Sequence, residues 1–270
     1  MLIRKKYQLP TMWKFNKKFD IKKLQEEALK LGNSYGDVME TNKALCSNNH
    51  ELVMSVYKHF KQINLTEFDP TAPAPTVESC EALGKTAGTG DESIGRIAKY
   101  KLKSRRGESL DPALNEHNYN TPTEQYKGTY FQEVVNSFNA DAIRVRLVRL
   151  DPGKTLTPHI DYDPTYAVRV IVPIFAEKEA TNYFWRKGKE EAYHLEPDGS
   201  AYFLNIGFTH TVVNSGSTPR ISLMFSLKNQ SDLQEIPDAD WNENNNMGEL
   251  RINNNYKTQK ALADAQQLAV

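Results

Sequence analysis

Between residues 142 and 227 the chain alternates apolar and polar positions with a period of two, in short runs separated by turn residues. Alternation of this kind puts successive side chains on opposite faces and specifies β-strands. In the first run Ile143, Val145 and Leu147 fall on one face and Arg144 and Arg146 on the other. Asp151-Pro152-Gly153 then breaks the run. Further strands are expected at about 155–160, 167–175, 181–186, 191–195, 200–205, 208–213 and 219–227. Turn signals separate them at Asp163-Pro164, Lys187-Gly188, Pro197-Asp198-Gly199 and Asn214-Ser215-Gly216. Short strands at this spacing predict a β-sandwich or barrel rather than a parallel sheet.

The same stretch concentrates the chemistry. His159 and Asp161 are two apart, so on a strand end they share a face. An imidazole and a carboxylate side by side take two adjacent positions on one metal ion, and His210 can supply a third. Two histidines and one carboxylate on one face of an octahedral ion leave positions open for a chelating cosubstrate and O2, which is how non-haem Fe(II) oxygenases are built. The donor set also suits Zn(II), Mn(II) and Ni(II). His-x-Asp on its own is common in loops; the strand context and the later His210 give it weight. Arg220 and Ser222 lie in an otherwise apolar strand. Burying them requires a partner, and a carboxylate matches the guanidinium fork, with the hydroxyl as a second donor. The distal carboxylate of 2-oxoglutarate is such a partner.

The rest of the chain carries weaker signals. Helices are expected at 19–31, with Asp20 as cap and Gly32 as stop, at 50–62, and at 123–138, with Thr123 as cap. Residues 66–123 lack apolar periodicity and read as a long surface excursion. Its Gly84-Lys85-Thr86 resembles the end of a phosphate loop, but Ser79 stands where that motif needs glycine. The basic run 101–106 reads as solvated surface. His50, His59 and His194 read as surface or satisfied histidines, His194 on a surface strand, and Trp185 as packing. After residue 228 the chain becomes polar and asparagine-rich, and a short helix with Thr258 as cap is expected near the end. The expected division is a helical and loop region at 1–139, a catalytic β core at 140–230 and a polar tail at 231–270.

With Lys+Arg 34 and Asp+Glu 34 the chain is neutral overall, which gives no footprint for nucleic acid. The basic cluster in the first eighteen residues reads as a solvated edge. Cys46 and Cys80 sit in no CxxC pattern, so neither a thiolate metal site nor a disulfide framework is expected. No apolar run is long enough to span a bilayer, and no signal-peptide core is present; a cytoplasmic location is expected.

Taken together, Arg144-x-Arg146, Pro152-Gly153, His159-x-Asp161, Arg169, Asn205, His210-Thr-Val-Val-Asn214 and Arg220 resemble the Fe(II)/2-oxoglutarate-dependent dioxygenases. The finer pattern is similar to the aspartyl/asparaginyl β-hydroxylase-like branch, over about residues 130–228. The resemblance implies an α+β chain, mainly β with N-terminal helices, around a double-stranded β-helix (jelly-roll, cupin-like) core. It implies that His159, Asp161 and His210 hold iron, that Arg220 with Ser222 holds 2-oxoglutarate, and that Arg169 helps hold a carboxylate near the metal. The implied reaction uses O2 to hydroxylate an amino acid, a peptide side chain or a related small molecule, releasing succinate and CO2. Asp161 departs from the animal peptidyl hydroxylases of this branch, which lack the metal carboxylate, and argues for hydroxylation over halogenation. Tyr162, Asp163 and Tyr166 sit where they line the substrate mouth or face solvent, and Arg144 and Arg146 line the pocket or form surface pairs. The competing readings are a non-catalytic cupin-like metal- or ligand-binding β-sandwich, and a Mn(II) or Zn(II) isomerase on the same fold.

Overall fold

The structure, a computed structural model, describes residues 3–32, 34–38, 59–73, 112–186, 188–239 and 256–268. In chain order the strands are β1 (Met12–Lys18), β2 (Gly36–Asp37), β3 (Phe60–Asn64), β4 (Thr66–Glu67), β5 (Thr121–Pro122), β6 (Ala142–Leu150), β7 (Lys154–Thr155) and β8 (Val168–Phe175). They continue as β9 (Ala180–Arg186), β10 (Lys189–His194), β11 (Ser200–Leu204), β12 (Thr209–Asn214) and β13 (Arg220–Leu227). The helices are α1 (Ile21–Lys30), α2 (Tyr130–Asn136) and α3 (Tyr256–Leu268).

Two antiparallel sheets form the core. The larger runs β1-β11-β8-β13-β6-β3-β2 and the smaller β10-β9-β12-β7. From β6 onward the chain crosses between sheets at each step, except for the β9–β10 hairpin that stays in the smaller sheet. This is a jelly roll. Val148, Leu150, Ile171, Phe184, Tyr193, Tyr202, Leu204 and Met224 fill the space between the sheets. On the other face of the larger sheet, Val145, Leu147, Val170, Val172, Phe203 and Phe225 pack with Leu24 of α1 and Phe131 of α2. Covered on both faces, β8 reads as the apolar run VRVIVPIF instead of alternating. The third helix lays Ala263 against Tyr183 and Val213 on the outer face of the smaller sheet.

Strand positions follow the sequence pattern closely from 142 to 227, and the departures have local causes. The expected strand at 155–160 reduces to Lys154–Thr155 and a single bridge at His159. A register shift between Met224 and Ser226 marks a bulge in β6, where Arg144 adopts φ 48. Past the bulge the alternation resets, so Ile143 joins the inter-sheet core, away from Val145 and Leu147. Of the expected helix at 50–62, residues 50–58 lie outside the described residues, and Phe60–Asn64 is a strand. Pairing of Phe60 with Leu150 and Ile63 with Leu147 overrides the helical spacing. The helix expected from 123 starts only at Tyr130: Gly128 at φ 71 breaks the chain, and Thr129 is the cap, accepting from the Gln132 amide. The first helix is as expected, with Asp20 accepting from Lys22 and Lys23 amides and Gly32 at φ 56 ending it. The final helix begins at Tyr256, two residues before the expected cap.

Much of the basic N-terminus is a solvated edge, with β1 the outer strand of the larger sheet and Lys5, Lys14 and Lys18 exposed, whereas Arg4 is buried. Residues 12–18 pair with β11, and β2 and β3 extend the opposite end of the same sheet, so the N-terminal region contributes strands as well as α1. The excursion at 66–123 is anchored at its two ends by the β4–β5 pair. The phosphate-loop-like stretch, the basic run 101–106, both cysteines and His50 lie outside the described residues. Among the described residues no helix is long and apolar enough to cross a membrane.

Candidate metal and cosubstrate site

His159 and His210 face each other across the end of the smaller sheet. The His159 amide donates to the His210 carbonyl at 3.1 Å, and the His210 amide returns a bond to His159 at 2.9 Å. The Asp161 amide donates to the Ile206 carbonyl at 3.0 Å, fixing the third residue on the loop before β12. Each imidazole is oriented the same way. His159 Nδ1 donates to the Thr157 carbonyl at 2.8 Å, and His210 Nδ1 to the Phe208 carbonyl at 3.0 Å. Both bonds leave Nε2 with its lone pair outward, the tautomer a metal ligand needs. One ligand atom from each of His159, Asp161 and His210 lies within 4.8 Å of the others, close enough to share one ion.

The electrostatics prepare these groups for a cation. Burial, with the neighbouring His159, presses the His210 imidazole down to about 3, so it is neutral at physiological pH. Burial raises the Asp161 carboxyl, but the charges of His159, His210, Arg169 and Arg144 outweigh it and hold it at about 2. A neutral imidazole and an ionised carboxylate need shed no proton to bind metal. Phe184 stacks on His210 with ring centroids 5.8 Å apart and an interplanar angle of 22°, walling the inner side.

A cationic cluster adjoins the triad. Arg169 approaches Asp161 at 3.8 Å, donates to the Tyr162 hydroxyl at 2.8 Å and reaches Met224 Sδ at 2.7 Å. The Tyr162 hydroxyl lies 2.6 Å from Ser226 Oγ. Arg146 reaches the same Met224 sulfur from the other side at 3.3 Å. Arg144 pairs with Glu116 at 2.5 Å. The residues next to Glu116 hold the mouth: Asn115 accepts from the Tyr166 hydroxyl at 2.9 Å, and the His117 ring lies 4.4 Å from that of Tyr166. Tyr162, Asp163, Tyr166 and Arg146 are buried, and Arg144 is partly buried in its pair with Glu116. Sequence reasoning missed Glu116, which sat in a stretch read as surface; its position becomes visible only once β4 and β5 close the excursion.

Deeper between the sheets, Arg220 is 3% exposed. Its one polar contact is to Asn182 Oδ1 at 3.4 Å, and no carboxylate pairs with it among the described residues. Burial pushes its pKa down to about 10. Ser222, next on the same face, has a buried hydroxyl with no partner. A buried cation with no carboxylate beside it and a buried hydroxyl with no partner fit an incoming carboxylate.

His194 departs from expectation. It is buried, not a surface residue, because Nδ1 donates to the Ala180 carbonyl at 3.0 Å across the β9–β10 pair. Trp185 packs as expected, 5.0 Å from Tyr256 by ring centroid. Asn205 donates to the carbonyls of Lys6, Leu9 and Pro10, tying the N-terminal segment to the loop ahead of His210.

Residues 112–230 match the family described as aspartyl/asparaginyl beta-hydroxylase. The matched segment contains β5 through β13. No curated protein sequence matches the chain. Among solved structures, a Pseudomonas putida prolyl-4-hydroxylase aligns at 11% identity over 81% of this chain and 92% of its own, with a TM-score of 0.39. A 2OG-Fe(II) oxygenase family oxidoreductase from Burkholderia pseudomallei aligns at 11% identity over 78% and 91%, with a TM-score of 0.33. The Momordica charantia 7S globulin aligns at 16% identity over 33% of this chain and 25% of its own, with a TM-score of 0.27, so the chain spans a quarter of that protein.

Proposed function

We propose, from the match of residues 112–230 to the aspartyl/asparaginyl β-hydroxylase family, that the chain is an Fe(II)- and 2-oxoglutarate-dependent dioxygenase. Its substrate is an amino acid, a peptide side chain or a related small molecule, and succinate and CO2 are released. The observation that carries the reading is the occurrence of two features between the same two sheets: a His-Asp-His cluster, and a buried Arg220 without a carboxylate partner among the described residues beside the unpartnered hydroxyl of Ser222.

In this reading His159 Nε2, His210 Nε2 and an Asp161 oxygen hold Fe(II), and Arg220 with Ser222 receives the distal carboxylate of 2-oxoglutarate. Fe(II), 2-oxoglutarate and O2 together supply the oxidising power that converts a substrate C–H into C–OH. The chain supplies the geometry. The Thr157 and Phe208 carbonyls fix the imidazoles, and Arg169 fixes Asp161 from its other oxygen. Arg169 also stands where it can steady a carboxylate beside the metal. Phe184 and Met224 keep the inner walls apolar, which limits water.

The test is succinate formation from 2-oxoglutarate by the Fe(II)-loaded chain. Activity should disappear on removing iron and in His159→Ala, Asp161→Ala and His210→Ala. Arg220→Ala should raise the KM for 2-oxoglutarate by roughly 10- to 100-fold, the loss of one or two charge-assisted hydrogen bonds. Turnover that survives the three alanine variants would sink the metal assignment. An absence of 2-oxoglutarate consumption with every substrate would favour a non-catalytic binding sandwich.

A further inference from the structure

We infer that Lys6 is a positioning residue for the metal site, clasping the loop that carries Asp161 to the loop that orients the His210 ring; this rests on the metal assignment of the dioxygenase reading. Neither loop is held by a strand ladder. Between β7 and β8 the chain forms no further strand, only an isolated bridge at His159, and residues 205–208 join β11 to β12. Segments of this kind keep their geometry through the contacts made to them from elsewhere in the fold.

Residues 206–208 support two of the three ligands at once. The Ile206 carbonyl accepts from the Asp161 amide at 3.0 Å, and the Phe208 carbonyl from His210 Nδ1 at 3.0 Å. Between them, the Gly207 carbonyl accepts from Lys6 Nζ at 2.7 Å. The Lys6 backbone amide donates to Asp163 Oδ2 at 3.1 Å, two residues beyond Asp161. One residue thus bridges the loop after Asp161 to the loop before His210. Asp163 is fixed in turn, its other oxygen accepting from the Thr165 amide at 3.0 Å. The approach needs glycine: a Cβ at Gly207 would meet Lys6 Cδ at 3.0 Å and the Tyr162 carbonyl oxygen at 3.3 Å. The ammonium also lies 5.4 Å from the centroid of the Phe208 ring.

Lys6 can serve as a fixed point because its own segment is fastened on both sides. Upstream, Gln230 Nε2 donates to the Arg4 carbonyl at 2.7 Å and to the Pro164 carbonyl at 2.9 Å. Downstream, Asn205 Nδ2 takes the carbonyls of Lys6, Leu9 and Pro10, and Thr11 Oγ1 donates to the buried Glu191 at 2.5 Å. The Lys6 ammonium meets a carbonyl and an aromatic ring, so what it contributes is the placement of a loop. A metal site depends on ligands held at the spacing of the ion, and losing an outer support of a ligand costs roughly 10- to 100-fold in metal affinity.

The test is Co(II) binding by the full metal-free chain, followed by visible absorption and by competition with a chelator. Lys6→Met and Lys6→Gln should each weaken Co(II) binding by roughly 10-fold or more and alter the absorption band, and Lys6→Arg should recover most of the affinity. Lys17→Met is the control. Lys17 Nζ donates to the Ser137 carbonyl at 2.7 Å, a bond of the same kind at the end of α2, and its loss should leave Co(II) binding unchanged. Unchanged affinity and absorption in both Lys6→Met and Lys6→Gln, an equal loss in Lys17→Met, or a Lys6→Arg variant as weak as Lys6→Met would overturn the inference. An unmodified chain that binds no Co(II), or binds it as well in His159→Ala, overturns the metal assignment and this inference with it. Binding that is lost in His159→Ala but kept in Lys6→Met overturns this inference alone.

Discussion

At the residue scale, a buried cation without a counter-charge is a stability liability. Arg220 costs desolvation and gains only one long bond to Asn182. Arg220→Met should therefore leave the ligand-free chain as stable as the unmodified one, or more stable, while abolishing the rise in melting temperature on adding 2-oxoglutarate. Thermal denaturation with and without the cosubstrate measures both effects. Gly153 is constrained differently. It sits at φ 69, and a Cβ there meets the Ala263 carbonyl oxygen and Gln266 Cβ, both at 3.1 Å. Gly153→Ala should destabilise by about 1–2 kcal/mol in denaturant unfolding, from conformational strain and the tight contact. The contrast explains what the sequence revealed of the site. Arg220 and Ser222 were conspicuous because they interrupt an apolar strand, and His159 and Asp161 because of their spacing. The partners of Arg144 and Arg146 were not legible, since Glu116 arrives from a distant loop and Met224 looks like ordinary core.

At the element scale, apolar patterning and turn residues were a reliable guide through most of the jelly roll. The runs at 168–175, 180–186, 200–204 and 220–227 were legible within a residue or two. The pattern failed where one residue decides the outcome: Gly128 delays α2, and the bulge at Arg144 turns Ile143 to the other face. It also failed for β1 and β3, whose identity depends on pairing with strands far along the chain. The β1 pairing is supported by charge at one end. Lys18 reaches Asp198 at 2.6 Å and Lys14 reaches it at 3.6 Å. Partial burial raises the Asp198 carboxyl, but Lys18 and Ser200 more than offset this and hold it at about 2. A depressed carboxyl stabilises the fold above its unfolded value of 3.8 and loses that contribution as pH falls toward 2. Asp198→Asn should accordingly be less stable at neutral pH, with the difference closing between about pH 4 and 2, and it should shrink with added salt because the group is half exposed. A constant difference across that window would remove the ionic explanation.

At the scale of the whole molecule, distant segments are fastened to the jelly roll at three places. Arg4 is buried against the Leu233 and Ile236 carbonyls, Lys6 donates to the Gly207 carbonyl at 2.7 Å, and α3 covers Tyr183 and Val213. Ending the chain after residue 255 should lower stability by roughly 2 kcal/mol or more, seen as a fall of about 4–8 °C in melting temperature. Zn(II) binding should survive, because His210 faces between the sheets and α3 lies on the opposite side of β12. Loss of metal affinity in the truncated chain would mean that α3 supports the site directly. The pairing of β1 with β11 has a further consequence for the order of assembly. β1 hydrogen-bonds to residues 200–204, so it leaves the ribosome long before its partner. Until they meet, β11 is an open sheet edge, the kind of surface on which nascent chains associate. Contacts this distant in sequence slow folding, so a chain lacking residues 1–18 should collapse readily and still aggregate, its jelly roll complete but for the strand that closes its edge.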